Sequence, residues 1–193
     1  MKKILVFMGV LLAFSFVLVA CGNDSSNDDT SKDAVASDTK KEKTKEKKGV
    51  IDSQKYTLTW SEDWKGLKTS ITDVSVVKME KSEMESMGLT GDGLIGVKFT
   101  LENSGEMDFN TYPDQATILV DGQQIEASMI ASDNIGGEIL KGAKKEGVVA
   151  FEVPKLDDVN AIKQLRLKWS ANYDTENYEE DFSHDYDITL DLK

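Results

Sequence analysis

Between Val50 and Lys193 apolar residues recur at every second position, and that alternation restricts the chain to strands that bury one face. Tyr56, Leu58 and Trp60 are separated by Thr57 and Thr59, and Ile95, Val97, Phe99 and Leu101 by Gly96, Lys98 and Thr100. Successive side chains of a strand point to opposite faces, so each run predicts one dry face and one wet face. Ala116, Ile118 and Val120 lead into Asp121-Gly122, with Ile125, Ala127 and Met129 beyond. That arrangement predicts a hairpin closed by a two-residue turn. Val149, Phe151 and Val153 stop at Pro154, Leu165, Leu167 and Trp169 alternate with Gln164, Arg166 and Lys168, and Ile188, Leu190 and Leu192 follow. Between Ile71 and Met79 the parity slips, with Val74 and Val76 on one phase and Val77 and Met79 on the other, so a bulge or a strand changing sheets is expected.

About eight strands result, separated by three stretches too long for tight turns: Glu80 to Gly93, Ile130 to Lys145, and Ser170 to Asp185. The first has room for one helical turn through Met84 and Met87, which Gly88 ends. No helix long enough to cover a sheet is predicted. The expected fold is all-β, an antiparallel sandwich in which two sheets bury one face each, and residues 50–193 are the size of one domain.

Upstream of this domain the composition changes twice. Met1-Lys2-Lys3 is basic, and Ile4 through Ala20 form an apolar run broken only by Gly9 and Ser15. As a helix that run would rise roughly 25 Å, short of the ~30 Å hydrocarbon core a permanent span must cross. Residues 1–20 therefore read as a cleaved secretory signal. Leu18-Val19-Ala20-Cys21 resembles the lipobox of bacterial lipoproteins. The resemblance implies that signal peptidase recognises Leu18 and Ala20, and that Cys21 receives a diacylglyceryl group and becomes the new N-terminus. The protein would then sit on the extracytoplasmic face of the cell membrane. Cys21 is the chain's one cysteine, so no intramolecular disulfide can form, and in an exported protein lipidation accounts for an odd cysteine. Rival readings are an uncleaved anchor or a secreted protein with an incidental cysteine.

Residues 21–49 form the expected linker. Gly22 to Gly49 has no aromatic residue and one large aliphatic, Val35, too little apolar surface to offset the entropy of ordering, so the sequence predicts a disordered tether. Its charge is segregated, acidic from Asp24 to Asp38 and basic from Lys40 to Lys48. Chain statistics give such a tether a reach of about 30 Å root-mean-square and roughly 95 Å fully stretched.

A second resemblance rests on Gly96-Val97-Lys98-Phe99-Thr100-Leu101-Glu102-Asn103, Gly142, and Gly147-Val148-Val149-Ala150-Phe151-Glu152-Val153-Pro154. These stretches, within about residues 68–169, look like an immunoglobulin-like domain of unassigned function found in many Gram-positive lipoproteins, related in fold to a secreted mycobacterial antigen. Lys141 stands where that family often has proline. The resemblance implies an immunoglobulin-like sandwich in a Gram-positive cell envelope and carries no catalytic residue.

The residues themselves offer little chemistry. A nucleophilic triad needs a base beside its serine or cysteine. The single histidine, His184, lies in an acidic stretch and reads as a solvated loop residue. One histidine also leaves zinc short of its usual ligands. The domain carries 14 basic and 28 acidic residues, a field that repels nucleic acid.

The unusual stretch runs from Asn172 to Asp187, where Asp174, Glu176, Glu179, Glu180, Asp181, Asp185 and Asp187 mingle with four aromatics. Such a loop suits Ca²⁺, a basic protein partner, or solvent alone. An EF-hand fails there, since Asn177 replaces the turn glycine and Ser183 the bidentate glutamate. The expectation is a lipid-anchored binding or envelope-accessory module without catalysis. The alternatives are a wall-polymer-modifying enzyme using paired carboxylates and a cation-dependent ligand binder.

Overall fold

The computed structural model describes residues 48–193. The signal segment with Leu18, Ala20 and Cys21, and the tether up to residue 47, lie outside the described residues. Among the described residues no helix is long and apolar enough to cross a membrane.

The described residues form ten strands: β1 (Val50–Trp64), β2 (Leu67–Met79), β3 (Gly93–Asn103), β4 (Phe109–Thr111), β5 (Thr117–Val120), β6 (Gln123–Glu126), β7 (Gly137–Ile139), β8 (Lys144–Val153), β9 (Gln164–Asn172) and β10 (Ser183–Asp191). One short helix, α1 (Lys81–Ser86), lies between β2 and β3 with Met84 buried beneath it. All ladders are antiparallel. One sheet has the order β1-β2-β3-β8. In the other, β9 pairs with β10 along one edge and with both β4 and β5 along the opposite edge, while β7 pairs with β4 and β6 with β5.

Ten strands therefore replace the eight expected. The extra pieces, β4 and β7, have three residues each, too few to show an alternation. β4 and β5 are one strand position broken by the 3₁₀ turn Pro113–Gln115, and β7 and β6 flank it as a second broken position. Each sheet is thus four positions wide.

Most of the alternating residues meet between the sheets as predicted; Met129 does not, because β6 ends at Glu126 and leaves it exposed. Ile95, Val97, Phe99, Leu101, Val149 and Phe151 of the first sheet and Ile118, Leu165, Leu167 and Ala171 of the second are fully buried, whereas Lys98 is exposed. A bulge does lie in the stretch from Ile71 to Met79, but at Thr72, which both neighbouring ladders skip, and not between Val76 and Val77; Val77 and Met79 are half-buried residues of the outer face. The bulge turns the buried phase of Leu67, Thr69 and Ile71 into that of Val74 and Val76, so both halves of β2 face the core. The Asp121-Gly122 hairpin forms with both residues at positive φ, 46° and 75°, the type I′ geometry whose twist matches its strands.

Strand direction gives the domain two poles. Val50 pairs with Met79, Gly93 with Val153 and Gln164 with Asp191, and these pairs, with the Asp121-Gly122 turn, mark the pole where the chain enters. The opposite pole gathers the Lys65-Gly66 turn, Ser104–Asp108, Leu140–Ala143 and the loop Tyr173–Phe182.

Candidate binding surface at the loop pole

Backbone contacts weld these four connections together. Buried Asn103 donates its Nδ2 to the carbonyls of Met107 (2.8 Å) and Ile139 (2.9 Å) and accepts from the Gly105 amide at Oδ1 (3.0 Å). Gly142, at φ 80°, donates its amide to the Asn103 carbonyl at 2.8 Å, so two residues of the family-like pattern join β3–β4 to β7–β8. The Ser104 amide bonds the Gly66 carbonyl at 2.8 Å. Gly66 sits at φ 95°, and a Cβ there would lie 2.4 Å from the Gly105 Cα, so only glycine permits this approach.

The next link is Lys65, itself at φ 54°. Its Nζ donates to the Tyr173 hydroxyl at 3.0 Å and lies 5.1 Å from the centre of that ring and 5.9 Å from that of Trp64. The Tyr173 hydrogen bond, helped by the tyrosine, Asp181 and Glu180, raises the lysine pKa. Tyr173 is buried against Phe109 and Trp64, with its hydroxyl 3.2 Å from both Glu180 Oε2 and the Asp181 carbonyl. The loop is thus rooted in the core by one aromatic ring.

His184 is not the solvated loop residue expected. β9 continues to Asn172 and β10 starts at Ser183, so His184 is a half-buried strand residue. Its Nε2 lies 2.7 Å from Glu62 Oε1 on β1, and its ring stacks on Trp64 and meets Tyr186 edge-on. Tyr186 in turn stacks on Trp169 at 4.3 Å, with Trp60 edge-on to both. Burial pushes the Tyr186 phenol up to about 12; the Thr69 hydroxyl beside it eases that shift without reaching hydrogen-bonding geometry.

The seven acids divide between two settings. Asp174, Glu176, Glu179, Glu180 and Asp181 belong to the loop, where all but the half-buried part of its turn is open to solvent. Asp185 and Asp187 belong to β10 instead, on the outer face of the sheet, so they leave the loop the sequence placed them in. Asp187 takes the Arg166 fork, with Nε at 2.6 Å, and has Lys168 at 3.5 Å; the Arg166 hydrogen bond above all holds its carboxyl down to about 2. Among the described residues no three of His, Cys, Asp and Glu gather into a group that could hold a metal ion.

What the loop presents outward is aromatic as well as acidic. Tyr178 is 81% exposed, with Phe182 edge-on to it at 6.4 Å. Glu106, paired with Lys141, adds to the acidic rim. Sequence reasoning missed Glu62, Trp64 and Lys65, whose signal was the Trp-Lys-Gly turn between two alternating runs. The described domain is a two-sheet antiparallel sandwich with a fixed loop platform at one pole.

No family model and no curated protein matches the chain. Among solved structures it is similar to a functionally unknown protein from Listeria monocytogenes EGD-e, with a TM-score of 0.50 and 13% identity over 74% of this chain and 88% of that one. At that identity the likeness is one of fold. A candidate lipoprotein, ycdA, from Bacillus subtilis strain 168 has a TM-score of 0.41 and 18% identity; the match covers 68% of this chain and 38% of that longer one.

Proposed function

We propose that the chain is a lipid-anchored, extracytoplasmic, non-catalytic binding or envelope-accessory module that presents its loop pole to a basic protein partner. The observation that carries this reading is polarity. The tether meets the domain at Val50, while the acidic and aromatic loop Tyr173–Phe182 stands at the other end of β1. With Cys21 acylated, the tether would join the domain at the pole opposite that loop. Its five carboxylates repel the phosphates of wall polymers in a Gram-positive envelope and attract a cationic partner, and Tyr178 and Phe182 supply apolar contact area.

The strand order supports an immunoglobulin-like sandwich. β2-β3-β8 matches A-B-E of that fold, and β4/β5, β9 and β10 match C-F-G, so three of the four connections at the loop pole, β3–β4, β7–β8 and β9–β10, match those that cluster at one end of immunoglobulin domains. The carboxylates with shifted titration serve ion pairs and backbone hydrogen bonds. Asp73, Glu106, Glu146 and Asp187 are held down by lysine or arginine hydrogen bonds, and Glu152 by the backbone amides of Thr90 and Gly91.

Metabolic labelling with a fatty-acid analogue tests the anchor. Labelled protein in the membrane fraction is expected, and Cys21→Ser abolishes the label; a Ser variant that labels and fractionates like the parent overturns the reading.

A further inference from the structure

We propose that the domain is also a tension-bearing link between anchor and partner, with β1 as its clamp; this rests on the preceding assignment of an N-terminal anchor and a partner at the loop pole. β1 spans 15 residues, against about 5–6 for an ordinary strand, and its ladder with β2 extends from Val50↔Met79 to Trp64↔Leu67, with breaks in register at Ile51 and at Leu58-Thr59. Ladder hydrogen bonds lie perpendicular to the strands. A pull directed from the entry pole to the loop pole therefore runs along β1 and strains the whole ladder in shear, so many bonds must fail together.

The far end of β1 is fastened to the surface that would carry the pull. Lys65 holds Tyr173 at the root of the loop, Glu62 holds His184 at the start of β10, and the Gly66 carbonyl takes the Ser104 amide. Near the entry end, the Tyr56 hydroxyl donates to the Ile162 carbonyl at 3.4 Å, tying β1 to the connection between β8 and β9. Force applied to the loop thus reaches the β1–β2 turn and the core beside it, while the tether draws β1 toward the entry pole, so the β1–β2 ladder bears the load between them.

A pull between the termini is different. β10 ends at Asp191, at the same pole where β1 begins, and each of these two strands has a single ladder partner at the edge of its sheet. Drawing the two ends apart peels each ladder one pair at a time. The domain should be strong along the anchor-to-partner axis and weak between its ends.

Force-clamp measurements on the full chain test this. The chain is held through Cys21, its single native thiol, and through a second thiol introduced as Tyr178→Cys or as Lys193→Cys, both at exposed positions. At the same force, forced unfolding through position 178 is expected to be several-fold slower than through position 193. Equal lifetimes in the two geometries, or a shorter lifetime through position 178, overturn the proposal. The protein for this measurement is made without export, so that the Cys21 thiol stays free, and failure of the fatty-acid labelling test would be a separate result.

Discussion

Phe99 and Phe151 face the opposite sheet from fully buried positions, while Lys98, one residue from Phe99, is exposed. Truncating either ring leaves a cavity as well as losing transfer energy, so Phe99→Ala and Phe151→Ala are each expected to cost about 3–5 kcal/mol in denaturant titration. Lys98→Ala should shift the midpoint little; equal midpoints for all three would contradict the strand phase. These residues were legible because period two assigns faces without knowledge of partners. Partners themselves were not legible. His184 finds Glu62 across 122 residues, and Asp187 finds Arg166 through the β9–β10 register, neither of which local composition encodes. Asp187 supplies a pH test. Its carboxyl is held at about 2, below the ordinary 3.8, so its contribution to stability is present above pH 3.8 and is lost as the pH falls toward 2. Asp187→Asn should lie below the parent in stability at neutral pH and converge with it near pH 2. A gap that persists at pH 2 would mean that the pair is not its source.

Elements were legible where an alternating run or a turn signal marked them. The runs that became β3, β8 and β9 showed their faces in the sequence, and Asp121-Gly122 announced its turn, whereas β4 and β7 at three residues carried no period and took their structure from strands already in place. The β9–β10 loop was overestimated because acidic residues read as loop, although Asp185 and Asp187 lie on the wet face of an edge strand, a usual place for charge. The turns differ in what they require. A Cβ added to Gly122, at φ 75°, would meet nothing within 4 Å, whereas one added to Gly66, at φ 95°, would run into the Gly105 backbone. Gly122→Ala should therefore cost only the left-handed penalty of roughly 1–2 kcal/mol. Gly66→Ala must in addition push the Ser104–Gly105 segment aside, and its midpoint should fall further. Equal losses would show that the close approach of the two turns is not a constraint.

At the scale of the whole molecule the decisive feature is the separation of entry and presentation. The alternation foretold an all-β fold, but which loops share a pole follows from the strand order, and that order depends on β8 returning beside β3 rather than beside its sequence neighbours. An acidic stretch by itself reads as solvated surface. Placed opposite Val50, rooted by Tyr173 and latched by Lys65, it becomes a surface with a fixed orientation. Photo-crosslinking in intact cells tests that orientation most directly, with a photoreactive phenylalanine analogue at position 178 on the loop or at position 121 at the entry pole. The account predicts a discrete protein adduct from position 178 and none from position 121; adducts from position 121 alone, or the same adducts from both, would contradict it.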